Sequence, residues 1–309
     1  MQFAFTEDQL AFRDAFRAFL AEACGPAVVR EAWTERPPGL WQQLSDLGLL
    51  GVEVAEDAGG LGMGAADQVL LSEEAGYFAL PLPYLETVAL APLLEHEPGA
   101  MLTLGAELVP DADLADTVVL VLGDRALRVT EAELAPRRSV DGARRLFEVS
   151  GSMEELDIDA DRLRTRATLG SAAACLGLGR RVLEMAVEYA KVRNQFGRAI
   201  GSFQAVQHHL VDARLALEFA APLVYRAAWS LDAGDAEAGL HVSMAKSLAA
   251  EAADVACKKS LQVHGAIGYT IEYDLHLYMK RAWAQQRTWG DAADHRHRVS
   301  LHVLGGAHA

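Results

Sequence analysis

The sequence predicts a mainly α-helical protein with an N-terminal helical domain, a small middle β domain and a C-terminal four-helix bundle. Three observations carry this. Apolar side chains recur at helical spacing in residues 1–99 and again in 161–309. Residues 100–160 instead carry short β-branched or alternating runs between Gly, Pro and Asp. In the C-terminal half, Leu210, Ala213, Leu217, Ala220, Val224, Ala227 and Leu231 alternate by threes and fours, the seam of a left-handed bundle.

Thr6, followed by Glu7, Asp8 and Gln9, reads as an N-cap with an acidic first turn. Leu10, Phe12, Phe16 and Leu20 then follow on one helical face. A second helix is expected near 40–49, stopping at Gly51, and a third over Ala65–Tyr77. Between them, 55–64 is rich in glycine, but no Val/Ile-rich strand precedes it, so it reads as a tight interhelical turn and not a dinucleotide fingerprint. Pro81, Pro83, Pro92 and Pro98 break the pattern. Thr117–Leu122, 126–130 and 145–150 predict a small antiparallel sheet of about four strands. From Ala172 a long helix runs to the 190s, a third bundle helix covers about 236–261, and two more flank Gly290.

The 309 residues carry 28 Lys+Arg against 43 Asp+Glu, a net charge of −15, which argues against a nucleic-acid partner. No charge-free apolar window is long enough to predict a membrane span. The N-terminal MQFAFTEDQL has neither a basic nor an apolar signal region, so a cytoplasmic location is expected. Cys24, Cys175 and Cys257 lie far apart in Ala/Leu-rich surroundings and read as reduced, packed thiols. His295, His297 and His302 read as part of a solvated helix face, and no metal site is expected.

Two segments carry chemistry. Arg193-Asn-Gln-Phe-Gly197 ends one long helix, and its guanidinium offers an anion five fixed donors. Residues 262–270, QVHGAIGYT, end another, and Gly265 and Gly268 permit close approach of a ligand to the backbone. Each alone is compatible with capping. Together they make a candidate phosphate-and-ring site.

With these residues in view, the chain resembles the acyl-CoA dehydrogenase family. The stretch WQQLSDLGLLGVEVAEDAGGLGMGAADQVLLSEEAG (41–76) is similar to its N-terminal helical domain. VRNQFGRAIGSFQAVQHHLVD (192–212) and QVHGAIGYTIEYDLHLYMKRA (262–282) are similar to its bundle signatures. The resemblance implies the family's three-domain fold, FAD shared between subunits and oxidation of an acyl-CoA to the 2,3-enoyl-CoA. It also implies cofactor-binding roles for Arg193, Gln195, Phe196, Gln204, Gln262, His264, Gly265 and Gly268, all in trans to a neighbouring subunit's flavin. Ala266 stands where the family has a second glycine.

Two departures shape the functional expectation. The middle domain is reduced, lacking the family's T-E-P-x-A-G-S-D and W-I-T-N stretches. The family's Tyr-Glu-Gly-Thr aligns with residues 288–291, placing Trp289 at the position of the catalytic Glu, and Ala167 at the alternative base position. An indole cannot take an α-proton. No catalytic residue is therefore assigned, and Asp291 is the candidate for a shifted base. The pattern resembles the shortened subunit of a heteromeric, actinobacterial steroid-type acyl-CoA dehydrogenase. That implies a longer, Glu-bearing homologue as partner, two copies of each, an acyl-CoA substrate and an electron-transfer flavoprotein as acceptor. The alternatives are a homo-oligomer with a displaced base at Asp291 or Glu272, and a non-catalytic scaffold of the same fold.

Overall fold

The computed structural model describes residues 4–305. Ten α-helices and seven strands are present among them. Helix α1 (Glu7–Ala23) starts at Thr6, whose hydroxyl accepts from Gln9 N (3.2 Å) while the Gln9 side chain accepts from Thr6 N. Helices α2 (Pro26–Glu31) and α3 (Leu40–Asp46) are short, so α3 ends before the expected Leu49. Helix α4 spans Ala65–Tyr77 as expected and is buried almost throughout. Helix α5 (Tyr84–Leu90) closes the first helical layer.

The sheet differs from expectation. It has five strands, β1 (Leu102–Gly105), β2 (Val109–Pro110), β3 (Thr117–Leu122), β4 (Arg125–Arg137) and β5 (Leu146–Glu155), in the order β1-β3-β4-β5-β2. It is mixed, because β1 pairs parallel to β3. The edges curl together, and Thr103 Oγ1 on β1 donates to Pro110 O on β2 (2.6 Å). Alternation divides β3 between two cores. Val118 and Leu120 face an inner cluster with Leu127, Val129 and Phe147. Val119 and Val121 face Leu163 and Ala167 of the first bundle helix.

That helix, α6 (Ala160–Val192), is 33 residues long and starts well before Ala172. Helix α7 (Gln204–Asp232) returns beside it, with the expected seam residues Ala213, Leu217, Ala220, Val224 and Ala227 buried. Helix α8 (Ala238–His264) runs parallel to α6: Lys246 Nζ meets Ser171 Oγ (2.7 Å), and His264 stacks on Tyr189. Helices α9 (Leu275–Arg287) and α10 (Ala292–Val303) complete the bundle. No helix among the described residues is long and apolar enough to cross a membrane.

Backbone proximity and buried ion pairs join the layers. A Cβ on Gly177 of α6 would overlap the Glu73 carbonyl of α4, and one on Gly76 would overlap Ala174 O. Only glycine allows these backbones to touch. Around this crossing, Arg36 pairs with Asp111, Arg281 with Asp141, Arg144 with Glu86 (3.2 Å) and Arg166 with Glu53 (2.6 Å). Each links an element of one layer to another. The second guanidinium face of Arg281 donates to Leu80 O (2.7 Å), and that of Arg36 to Pro81 O (2.8 Å). The cavity left between the layers here holds only about 20 Å³.

This packing separates two glycines of the same helix. Gly177→Ala should lower the unfolding free energy by about 1–3 kcal/mol, since neither backbone can yield without moving a helix. At Gly170 the nearest side-chain atom to a new Cβ is Leu85 Cδ2 at 3.9 Å. Gly170→Ala should therefore raise stability by about 0.5–1 kcal/mol through helix propensity. Denaturant midpoints of the two variants, measured against the parent chain, read both signs.

Candidate functional site

At the C-terminal end of α6, Arg193 N caps on Tyr189 O (2.9 Å) and the chain enters a two-stranded ribbon, β6 (Asn194–Gln195) and β7 (Arg198–Ala199). Its two-residue turn is Phe196-Gly197, with φ of 53° and 80°. Both central residues of such a tight turn need positive φ, which glycine adopts freely and phenylalanine does not. The Phe196 ring is nonetheless 93% exposed. It meets Phe203 edge-on at 6.1 Å, and the Arg198 guanidinium lies 4.1 Å over Phe203. A strained backbone that presents a large apolar ring to solvent is a feature of a contact surface.

The end of α8 lies beside it. Tyr189 stacks on His264 with centroids 4.6 Å apart, and Ala186, Ala190 and Val263 form one cluster with Ile200, Val206 and Leu210 packed on it. The two predicted segments therefore share one end of the bundle. Gly265 adopts φ 63°, ψ −139°, open to glycine only, and nothing lies within 4 Å of where a Cβ would point. Arg193, Gln195, Gln204 and Gln262 are exposed at this end.

Two expected ligand contacts have other roles. Gly268 is buried, and a Cβ there would stand 2.9 Å from Leu261 Cδ1 and 3.0 Å from His264 Cβ, so the glycine serves packing. His264 is 3% exposed; its Nδ1 donates to Ser260 O (2.7 Å), leaving Nε2 without a partner. Burial pulls its pKa below the usual histidine value, which keeps it neutral. It is a strut beneath Gly265. Beside these predicted residues, Val192, Tyr269 and Ile271 are 72%, 78% and 73% exposed. Sequence periodicity gave no sign of them, because helix-end residues have no assigned face.

The opposite end of the bundle holds the positions where a base was sought. Ser171 lies 18 residues before Tyr189, so the two ends are roughly 27 Å apart along α6. Lys246, fully buried, donates to Ser171 Oγ and Gln285 O, both at 2.7 Å, and so fixes the last turn of α9. Burial lowers its pKa. Beyond Thr288 the chain turns through Trp289 at φ 62° and Gly290 at φ 99°. His295 Nε2 donates to Trp289 O (2.9 Å) and holds this turn. His295 was expected on a solvated face, but it is fully buried, while His297 is exposed.

The two positions where the family's base was sought carry no carboxylate, and Asp291 is otherwise engaged. The Trp289 indole packs against the apolar cluster that contains Ala167, Leu163 and Leu104. Asp291 is the N-cap of α10: its carboxylate accepts from Asp294 N (3.0 Å) and Ala293 N (2.8 Å). Those bonds hold its pKa below the ordinary value, the wrong direction for a general base. Glu272 is exposed in the segment just before α9, at the far end of the bundle. In front of the Trp289 turn, a cavity of about 1,090 Å³ opens between the sheet and the start of α10.

His295 makes the turn pH-dependent. Burial, with the charges of Arg298 and Lys246 nearby, lowers its pKa from 6.5 to about 4. The unfolded chain binds that proton below about pH 6.5 and the folded chain only near pH 4. Its contribution to stability is thus present above pH 6.5 and lost as pH falls toward 4. Unfolding free energies at pH 7 and pH 5 should differ by about 1–2 kcal/mol more in the parent chain than in His295→Gln.

Comparison with known proteins agrees with this layout. The N-terminal domain model of acyl-CoA dehydrogenases matches residues 6–96, and the C-terminal domain model matches residues 164–303. The chain is 32% identical over 295 residues to acyl-CoA dehydrogenase IpdE2 of Mycobacterium tuberculosis, covering 89% of this chain and 91% of that protein. It is 29% identical over 316 residues to IpdE2 of Mycolicibacterium smegmatis, covering 97% and 100%. A chain of the ChsE4-ChsE5 complex from Mycobacterium tuberculosis superposes with a TM-score of 0.86 at 24% identity, over 100% of both chains, a likeness of fold. From its two matched domains and the near full-length similarity to IpdE2, the chain belongs to the acyl-CoA dehydrogenase family, whose members are FAD-dependent flavoenzymes.

Proposed function

We propose that this chain is the shortened subunit of a cytoplasmic, heteromeric acyl-CoA dehydrogenase, contributing the trans half of an FAD site while a longer homologue supplies the catalytic Glu. The observation that carries this reading is that Trp289 and Ala167, at the family's two base positions, share one apolar cluster. Asp291 is committed to a helix cap and Glu272 stands at the other end of the bundle, so neither candidate for a displaced base serves this cleft.

At the other end, the residues present suit a flavin dinucleotide that belongs to a neighbour. Arg193 offers a fork of donors to the pyrophosphate, Gln195 and Gln262 offer amides, and Phe196 offers a ring face. Gly265 leaves its backbone open to close approach. Bound FAD would accept hydride from the acyl β-carbon. The partner's carboxylate would take the α-proton, and this chain's part is to hold and cover the dinucleotide. The fold shared with a chain of the ChsE4-ChsE5 complex supports a two-protein assembly. A bulky steroid-type acyl thioester, an electron-transfer flavoprotein as acceptor and two copies of each subunit complete the proposal.

Acyl-CoA oxidation with an artificial acceptor should be near background for this chain alone and robust for the co-expressed pair. Turnover by a verified homo-oligomer would overturn the reading. In the assembled complex, Arg193→Ala should weaken FAD retention tenfold to a hundredfold, from the roughly 1.5–3 kcal/mol of a charge-assisted contact. Arg193→Lys should restore only part of it. Unchanged flavin content in Arg193→Ala would leave the motif a helix cap.

A further inference from the structure

Helix α7 is apolar on two opposite faces. Ala213, Leu217, Ala220, Val224 and Ala227 are its buried seam. At about 100° per residue, Val211, Leu215, Phe219, Pro222 and Trp229 fall together on the reverse face. All five are exposed, Phe219 by 71%, Val211 by 52% and Leu215 by 50%. From Val211 to Trp229 the stripe covers roughly 27 Å of helix. A surface helix sets polar residues opposite its apolar stripe, whereas a helix apolar on both sides is a buried one. Among the described residues nothing covers this outer face. It is also separate from the Phe196 turn, since Phe219 stands roughly 24 Å beyond Phe203 along α7.

The charges beside the stripe decide what fits on it. Arg214 and Glu218 flank it one turn apart and pair with each other (2.8 Å), while their side chains stay 63% and 50% exposed. Such a pair contributes little and is readily exchanged. On the other flank, Asp212 is held by Lys259 of α8 (2.8 Å), and Arg226 lies 4.9 Å over the Trp229 ring. A base and an acid one turn apart make the face its own complement. Two α7 helices laid antiparallel about a two-fold axis beside Ala216 bring Arg214 of each opposite Glu218 of the other. The same axis sets Phe219 of each between Val211 and Leu215 of the other. Copies with a net charge of −15 repel one another, and a face whose acid and base balance is where they can meet.

We propose that the outer face of α7 is a self-association surface, on which a second copy of this chain docks antiparallel through Leu215 and Phe219. The contact supplies a direct joint between the two copies of this chain in the assembly proposed above. It does not rest on the shared-flavin reading, because the face is apolar whatever Arg193 holds. A single helix pair of this length lies near the small end of specific interfaces, so the chain alone should dimerise with a Kd in the micromolar range.

The test is sedimentation of the full chain alone, without flavin or acyl-CoA, over a range of concentrations. A reversible monomer–dimer equilibrium should appear. Leu215→Glu and Phe219→Glu should each weaken it on the order of tenfold or more, since each buries an unpaired carboxylate at the contact. Their melting temperatures as monomers should match the parent, because both side chains face solvent in the single chain. Charge exchange then identifies the occupant. Arg214→Glu and Glu218→Arg should each weaken the dimer when alone, because like charges face one another across the axis. An equimolar mixture of those two variants should restore the parent affinity. Three results overturn the proposal: a chain that stays monomeric, a dimer indifferent to Phe219→Glu, or a mixture that associates no better than either charge variant. Release of a longer homologue from the co-expressed complex by Phe219→Glu, with the chain alone monomeric, would assign the face to that homologue and likewise overturn it. Flavin retention in Arg193→Ala does not enter these measurements, so this proposal and the shared-flavin reading fail separately.

Discussion

The contact between the α4 and α6 backbones at Gly76 and Gly177 sets the rest of the molecule. At that crossing the N-terminal layer is drawn onto the longest helix of the bundle closely enough that a methyl group does not fit. The sheet then has one place to sit, against the first turns of α6, where Leu163 and Ala167 meet Val119 and Val121. The arginine–carboxylate pairs that ring the crossing are buried. Their value is in register more than in net stability, because desolvation offsets much of the attraction while a lone charge there is intolerable. Each of Arg36, Arg144, Arg166 and Arg281 finds its carboxylate in only one arrangement of the three layers.

Helix α6 also joins the two ends of the bundle at which candidate residues gather. Its C-terminus carries Arg193 and its early turns carry Ala167 and Ser171, and α8 runs parallel to it, so neither end can shift without the other. The ends are too far apart to grip the same reacting atoms. On the function proposed above, the absence of a carboxylate at positions 167 and 289 leaves the Arg193 end unaffected. The Lys246–Ser171–Gln285 contacts and the His295–Trp289 bond show that the Trp289 end is well organised.

Much of this was legible in the sequence, for identifiable reasons. The α7 seam was readable because its inward positions are apolar over three heptads, and α4 because glycine and proline bracket it. The segment after α6 was readable because its candidate residues are contiguous: Arg193 through Gly197 lie within one turn. What escaped was non-local. The parallel β1 strand is four residues long and pairs across a gap in sequence. Gly268 and Gly265 look alike in sequence, and only the surroundings assign packing to one and open backbone to the other. Arg138, Arg164, Arg287 and Arg298 come from four separate segments, so their convergence on one cavity has no local signature.

The exposed apolar end has a consequence for how the chain is made. Val192, Phe196, Tyr269 and Ile271 face solvent together, a surface that sticks to other chains when nothing covers it. The net charge of −15 keeps separate copies apart, though only weakly at cellular salt. On the assembly proposed above, a copy synthesised in excess of its companion is a liability and not a reserve. Balanced output of the two genes, or folding of one subunit upon the other as it emerges, becomes a requirement imposed by a single strained phenylalanine turn and its neighbours.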